Sequence, residues 1–508
     1  MTSATDPTPN TIRVFRRCCT WFAVLGILFV LTLFASVGWA NDSSLLDLLR
    51  QKQVLTPQEY DRIKGGQLTP AQRQELIKVL QEKGVLTDAE AARVHQAAPP
   101  SAAAAAVEKS SIPSQVGYDE GFFVRSADGN FNLRFNGRAV ANLLFEEPDT
   151  SLTNNLSVDR ARLSADATFY KYFRARVEGE FTASPILRDA FLALQPRPEL
   201  NLQIGQFPVP FSYELIVSKL RTDFIERAAV VNQTMNPRRD IGLMAHGQLA
   251  GKILQYQLAV MNGSGQNRSD NNSDKDAVAR LVVAPFVLTD LAHLKGFNLG
   301  GAFTYGHQPR ETTKNASGAT VLTNNSISGS TEPGFVFYQA IPRSGARLRT
   351  DAHVAWLDGP FSITTEYITT SEQRQGLGTN GADLPDLDSD GAYIGGTWLL
   401  TGETKPYNAR IRPSRPLWVG SNPGLGAWEA ALRYEYFKLR HDPDAPTAAA
   451  VANRYDAFLA GINWYPIELV RFSLNYVYST YEEQGANLSP NKEKRSNNAV
   501  LGRAQVDF

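Results

Sequence analysis

From residue 118 onward the sequence is built from short runs in which apolar and polar side chains alternate one by one, separated by turns rich in Gly, Asn, Asp and Pro. In "FNLRFNG" Phe131, Leu133 and Phe135 oppose Asn132, Arg134 and Asn136, and in "FRARVEGEF" Phe173, Ala175, Val177 and Phe181 oppose Arg174, Arg176, Glu178 and Glu180. The chain ends in the same way, with Val500, Gly502, Ala504, Val506 and Phe508 on one side and Arg503, Gln505 and Asp507 on the other. A period of two belongs to strands with one apolar and one polar face. Two architectures accept such strands. A soluble sandwich turns the apolar faces inward, whereas a membrane barrel turns them to lipid, closes every edge and keeps charge in a wet lumen.

Several features choose the barrel. About sixteen segments carry the pattern, an even number within the range of bacterial barrels. Aromatics stand at segment ends (Tyr170, Tyr172, Trp356, Tyr367, Trp398, Trp464 and Tyr465), as interfacial girdles require. Turns alternate between tight ones, Tyr170 to Tyr172 and "PRPE", and long polar ones, Pro208 to Asp240, Gln308 to Arg349 and Ser371 to Asp390. The predicted fold class is therefore all-β, a transmembrane antiparallel β-barrel of about sixteen strands over 118–508, preceded by a short α-helical segment.

The N-terminus supplies the address. Arg13, Arg16 and Arg17 precede the apolar run Trp21 to Val37, and Gly38 and Ala40 are small residues at a cleavage position, so residues 1–40 read as a signal peptide. A retained anchor helix is the alternative, since the run is close to the lower limit of a span. Cys18 and Cys19, the chain's 2 cysteines, lie in this segment, so the mature chain has neither disulfide nor thiolate chemistry. Removing the peptide takes three basic residues and one acidic residue from totals of 51 and 51, and near neutrality argues against a nucleic-acid partner. The expected location is the bacterial outer membrane, with the N-terminal segment in the periplasm.

Residues 41–97 carry an internal repeat, "LLRQKQVLTPQEYDRI" against "VLQEKGVLTDAEAARV", each with a capping box, Thr56 with Glu59 and Thr87 with Glu90. Such short helices cannot bury their apolar stripes alone. They read as a periplasmic appendage that self-associates or touches a partner, or else as a loosely ordered spacer. The Ala, Ser and Pro-rich stretch 98–117 has the composition of a linker.

The barrel half contains "DAFLALQPRPELNLQIGQFPVPFSYE", "NPRRDIG", "YIGGTWLLTGETKPY", "GAWEAALRYEY" and "GINWYPIELVRFSLNYV", and ends in "RAQVDF". Together, in this order and spacing over roughly 118–508, these motifs resemble the phosphate-selective porin O and P family. The resemblance implies a sixteen-stranded outer-membrane barrel, usually a homotrimer, with a long third loop folded into the lumen; here that loop is Pro208 to Asp240. It also implies that Phe508 is read by the barrel assembly machinery. The family's phosphate sites use lysines as well as arginines, and this chain is poor in lumen lysine.

Anion selectivity needs fixed positive charge where water is scarce. The face opposite the apolar one carries Arg134, Arg138, Arg160, Arg162, Arg174, Arg176, Arg280, Arg433, Arg471 and Arg503, against Asp166, Glu178, Glu180, Glu366, Glu429, Glu435 and Asp507. In the third loop Lys219, Arg221, Arg227, Arg238 and Arg239 compete with Glu214, Asp223, Glu226 and Asp240. The candidate anion-binding set is Arg134, Arg162, Arg174, Arg176, Lys219, Arg221, Arg227, Arg238, Arg239, Arg433 and Arg471. Their guanidinium forks suit bidentate phosphate contact, and the competing reading pairs them with carboxylates across strands to fix the bore. "GLGTNG" lacks a following helix, so no pyrophosphate cradle is expected. "DLDSDG" makes Asp386, Asp388 and Asp390 a weak calcium candidate in an outer loop, without the terminal Glu of such loops. The six histidines show no zinc spacing, and His246 and His353 are expected to face the lumen and be hydrogen-bonded. No cofactor and no catalytic set are expected; a Ser, His and acid set for a lipase-type barrel has no spacing to suggest it. The function expected is a passive channel for small anions or other small hydrophilic solutes. The alternative is a non-selective, structural or adhesive barrel tethered to the cell wall by its helical segment.

Overall fold

The structure, a computed structural model, describes residues 114–146, 154–235, 238–270, 272–309, 312–314, 320–322, 326–330, 336–440, 452–484 and 496–508. The expected signal peptide, the helical repeat and most of the linker lie outside the described residues. The last linker residues, Ser114 to Gly117, already pair in β1 (Ser114–Tyr118), which forms a hairpin with β2 (Phe122–Ser126). The strands that follow are β3 (Phe131–Glu146), β4 (Asn155–Phe169), β5 (Phe173–Glu180), β6 (Leu187–Arg197), β7 (Leu200–Pro208), β8 (Arg239–Leu249), β9 (Leu254–Met261), β10 (Asp276–Val283) and β11 (Phe297–Gln308). Two small hairpins, β12 (Thr312–Lys314) with β13 (Thr320–Leu322) and β14 (Ser326–Ser330) with β15 (Val336–Pro342), interrupt the series. It resumes with β16 (Gly345–Asp358), β17 (Phe361–Arg374), β18 (Leu384–Leu399), β19 (Ala427–Arg440), β20 (Ala452–Ile467), β21 (Val470–Gln484) and β22 (Ser496–Asp507).

Each strand from β3 to β11 and from β16 to β22 pairs antiparallel with its neighbours, and β22 returns to β3 with Val506 opposite Ala139 and Asp507 opposite Arg138. The result is a closed barrel of sixteen antiparallel strands. Closure leaves no unpaired edge, the condition for a sheet in hydrocarbon. Below the point where β22 stops, β2 takes its place against β3, with Phe122 opposite Phe135. Phe508 sits at this junction: it exchanges backbone hydrogen bonds of 2.9 Å with Gly137, and its ring meets Phe122 edge-on at 5.9 Å. A Cβ on Gly137 would come within 2.2 Å of the Phe508 ring, so a larger residue there would have to displace the terminal aromatic.

Alternation decides which side chains meet lipid. Leu156, Leu163, Leu192, Ile204, Leu243, Val260, Leu281, Leu299, Ile394, Leu432, Phe458, Ile462 and Leu474 all lie exposed on the outer face. A contiguous apolar belt of this size is untenable in water and is what an acyl environment requires. Stacked aromatics rim it at the tight-turn end, Trp428 on Trp464 at 5.6 Å, Trp464 on Phe472 at 5.3 Å and Phe361 on Trp398 at 5.9 Å. Tyr434, Tyr436, Tyr476 and Tyr478 carry phenols toward the other end; the eight residue steps from Trp428 to Tyr436 span about 27 Å of strand. Tyr465 departs from the girdle expected of it. It is buried on the inner side and donates to Glu429 at 2.8 Å, because its neighbour Trp464 already faces lipid and adjacent strand residues point to opposite faces.

The tight turns cluster at the end that holds Phe508. Tyr170 and Lys171 both adopt positive φ, the two-residue turn that suits the strand twist. The opposite end carries the long connections, so it faces outward and the Phe508 end faces the periplasm. Two expectations about these connections change. Strand β17 runs to Arg374 and β18 starts at Leu384, so most of Ser371 to Asp390 is paired strand; likewise β16 begins at Gly345, inside the expected 308–349 loop. Here the strands project past the apolar belt into water, where polar residues occupy both faces and the alternation that reveals a strand is lost. Asp386, Asp388 and Asp390 therefore fall at every second position of β18, spaced by about 7 Å along a strand instead of wrapping an ion in a loop. Asp390 instead accepts from Arg440 at 2.6 Å and from the Tyr436 hydroxyl at 3.1 Å.

Candidate pore and its lining

The described residues of the β7–β8 connection, 209–235 and 238, pack inside the barrel. The connection contains two short helices, α1 (Tyr213–Ile216) and α2 (Ala229–Thr234). Its apolar residues Val209, Phe211, Leu215, Phe224, Val230, Val231 and Met235 are buried against the inward residues Tyr393, Phe437, Leu439, Tyr455, Leu459 and Tyr481. A loop pressed against a wall must still satisfy its backbone groups. Here lumen side chains do so. Arg471 donates to the Thr222 and Asp223 carbonyls at 2.8 and 3.0 Å, Arg503 to the Ile225 carbonyl at 2.8 Å, and Arg433 to the Glu226 carbonyl at 3.1 Å. Asn463 donates to the Asp223 carbonyl at 2.9 Å, while Asn475 accepts from the Ile225 amide at 2.8 Å.

Charges within the connection also bind it to itself. Lys219 pairs with Glu226 at 2.5 Å, and Arg238 donates to Asn232 at 2.9 Å. Arg227 donates to the Glu214 and Val217 carbonyls at 2.8 and 2.7 Å. Burial lowers the Arg227 guanidinium to about 10, which still leaves it charged at neutral pH.

A second connection approaches from the periplasmic end. Residues 400–426, between β18 and β19, are far longer than the other turns there. Lys405 ion-pairs with Asp223 of the inner loop at 2.6 Å and with Glu429 of the wall. Burial opposes its charge, but Asp223 and Glu429 hold the ammonium well above its ordinary value. Asn408 accepts from the Ser218 amide at 2.9 Å, and the Tyr407 and Tyr213 rings lie 5.7 Å apart. Arg410 reaches Asp507 at 3.6 Å and the Tyr118 hydroxyl at 2.8 Å. Strand periodicity in the sequence does not mark this element; its local signal is the basic "NARIRPSR" in an unusually long turn.

Between these connections and the β3–β5 wall lies a polar cavity of about 550 Å³. Arg134, Arg138, Arg174, Arg176, Arg221 and Arg410 line it, against the carboxylates Glu120, Asp166 and Asp507. A network holds the wall arginines in place. Arg176 pairs with Glu178 at 2.7 Å and with Asp166, Arg174 with Asp166 at 2.7 Å, and Arg221 with Asp507. Exposure separates the predicted residues. The side chains of Arg174, Arg134 and Arg221 retain 37%, 28% and 17% accessibility, whereas Arg162 keeps 9% and Arg433 2%. Arg134, Arg174, Arg176 and Arg221 thus meet in the cavity. Arg162 is closed off by Glu180 at 2.5 Å and Arg239 by Asp189 at 2.7 Å, and Arg433, Arg471, Lys219, Arg227 and Arg238 secure the inner loop. Arg343, Arg347 and Arg349, hidden in the supposed loop, are buried lumen residues; Arg343 holds Glu372 at 2.7 Å and Arg347 holds Asp276 at 2.6 Å.

A closed sixteen-stranded barrel, apolar outside, charged inside and opening at a polar cavity, is a porin-type channel of the bacterial outer membrane. The family follows from the sequence match: the chain belongs to the phosphate-selective porin O and P family, whose model covers residues 131–508. It is 24% identical over 390 residues to Porin O of Pseudomonas aeruginosa, an alignment spanning 70% of this chain and 85% of that protein. Among solved structures, OmpT of Vibrio cholerae in its trimer form is 12% identical, with a TM-score of 0.49 over 74% of this chain and 99% of that one. The outer membrane channel DcaP of Acinetobacter baumannii is 12% identical, with a TM-score of 0.46 over 78% of this chain and 100% of that one.

Proposed function

We propose that this porin passes small anions, phosphate-like ions among them, with the 209–238 connection as its constriction. One observation carries the reading: six arginines face three carboxylates around the polar cavity. In a narrow, poorly hydrated bore such a surplus attracts anions and repels cations, and guanidinium forks can hand an oxyanion from one site to the next. Arg174 and Arg134, the more accessible of the predicted residues that line the cavity, form the landing points, and Arg221 and Arg410 continue the path past Asp507. The chain assembles as a homotrimer, in keeping with the trimer form of the Vibrio OmpT.

The test is conductance in planar bilayers under a KCl gradient, with phosphate added as competitor. The reversal potential is expected to report anion preference, and phosphate to reduce chloride current. Replacing Arg174 and Arg221 together by Ala is expected to lower the anion-to-cation permeability ratio by about fivefold, the equivalent of roughly 1 kcal/mol of lost attraction. Cation preference in the unmodified channel would overturn the proposal.

A further inference from the structure

Most buried carboxylates inside this barrel have a guanidinium or ammonium beside them. Glu178 has Arg176 at 2.7 Å, Glu180 has Arg162 at 2.5 Å and Asp276 has Arg347 at 2.6 Å. Asp240, which has no ion-pair partner among the described residues, accepts three backbone amides instead, those of Ile241, Gly263 and Gly265. Asp351 and Glu366 break the pattern. They are 6% and 1% exposed, and among the described residues no lysine or arginine lies within 4.0 Å of either carboxylate. Arg280, on β10, directs its Nη1 to Gln257 at 3.2 Å.

What does reach them is His353, together with the Ser212 hydroxyl, which donates to Glu366, and the two carboxyl groups stand within hydrogen-bonding reach of each other. Asp351 and His353 sit two residues apart on the inner face of β16, and Glu366 of β17 stands directly opposite His353 in the register. One donor atom from each of the three lies within 4.8 Å of the others, with His353 Nδ1 2.7 Å from Asp351 Oδ2. Around a tetrahedral Zn²⁺ with ligands at about 2.0–2.2 Å, adjacent donors stand roughly 3.4 Å apart, within this spread. Asp351 Oδ1 is buried, and no donor among the described residues reaches it. Glu366 is oriented from outside the cluster by the amides of Tyr213 at 2.7 Å and Glu214 at 3.4 Å, the kind of support that ligating carboxylates receive. Gly300 leaves room for the imidazole, since a Cβ there would come within 2.1 Å of His353 Nε2.

Buried carboxylates without a positive partner either share a proton or hold a cation. The neighbouring imidazole favours the cation, and one nitrogen with carboxylate oxygens suits a first-row transition-metal ion better than Ca²⁺ or Mg²⁺, which take oxygen ligands. We propose that Asp351, His353 and Glu366 form a site for a divalent transition-metal ion of the Zn²⁺ class. Because Glu366 also holds the first amides of α1, the bound ion ties the start of the 209–238 connection to the barrel wall. Three ligands leave room for a water or a solute atom in the fourth position.

The full barrel, purified in detergent and stripped with chelator, is titrated with ZnCl₂ by calorimetry and with CoCl₂ by visible absorption. One equivalent per chain is expected, with affinity falling at least about tenfold in Glu366→Gln and in Asp351→Asn. His293→Gln, which alters the exposed His293–Asp358 pair, should leave it unchanged. Heat-modifiable gel mobility shows that each variant is folded; should both carboxylate variants fail to fold, a zinc-edge anomalous peak between the three residues in the unmodified protein is the expected result. The site is refuted by absence of stoichiometric binding, by binding that survives both carboxylate variants, or by an infrared band of a protonated carboxyl that persists in excess Zn²⁺ and vanishes in Glu366→Gln. None of these readouts uses ion current, so the result stands apart from that of the selectivity test.

Discussion

At the scale of single residues, position in the lumen and availability to a solute are different properties. Alternation made the first legible: Arg134, Arg174, Arg433 and Arg471 point inward as their parity requires. The second depends on partners hundreds of residues away, such as the Asp223 carbonyl that takes Arg471 or the Glu214 carboxylate 3.3 Å from Arg433, and no local pattern encodes those meetings. Lys405 illustrates the energetics. Glu429 is fully buried, and although Asn463 and Tyr465 donate to it at 3.0 and 2.8 Å, Lys405 supplies its nearest positive charge. Lys405→Ala is expected to destabilise the barrel by about 3 kcal/mol, since it strands a buried carboxylate. Urea unfolding followed by gel mobility would check this, with Lys405→Arg as the variant that recovers part of the loss. At the closing strand, Gly137→Val forces the Phe508 ring out of its seat and should cost about 1–3 kcal/mol by overpacking, read in the same assay.

At the scale of elements, the inner loop is held by two independent means, an apolar face and wall side chains that satisfy its carbonyls. Phe224 takes part in both, being buried beneath the Arg433 guanidinium at 4.6 Å from its ring centre. Phe224→Ala should therefore loosen the loop by about 3 kcal/mol without disturbing the strands. The expected outcome is a barrel of unchanged heat resistance whose single-channel current is larger and noisier. Unchanged current would separate this loop from the conduction path. The length of 209–238 was legible in the sequence, because it breaks the strand rhythm between "LQIGQF" and "RDIG". Its inward course came only from resemblance, since its buried residues have no regular period. The 400–426 connection was passed over for a related reason: irregular backbone carries no periodic signature, and its contacts are with side chains far away in sequence.

At the scale of the whole molecule, the fold was almost entirely legible, because one rule applied to sixteen strands leaves a single self-consistent arrangement. Where that rule failed, at the outer ends of β16, β17 and β18, the strands stand clear of hydrocarbon and nothing forces the alternation. The belt predicts an asymmetry between the two faces of one strand. Leu432→Arg, midway between Trp428 and Tyr436, places a charge near the bilayer midplane and should cost about 2–4 kcal/mol, measured by refolding into lipid vesicles. A lumen change such as Arg174→Gln should leave vesicle refolding nearly unaffected. The contacts Asp223 to Lys405, Ser218 to Asn408 and Tyr213 to Tyr407 join segments hung from opposite rims. A disturbance at the outer mouth is therefore felt at the inner one, and widening this passage means moving two latches that brace each other.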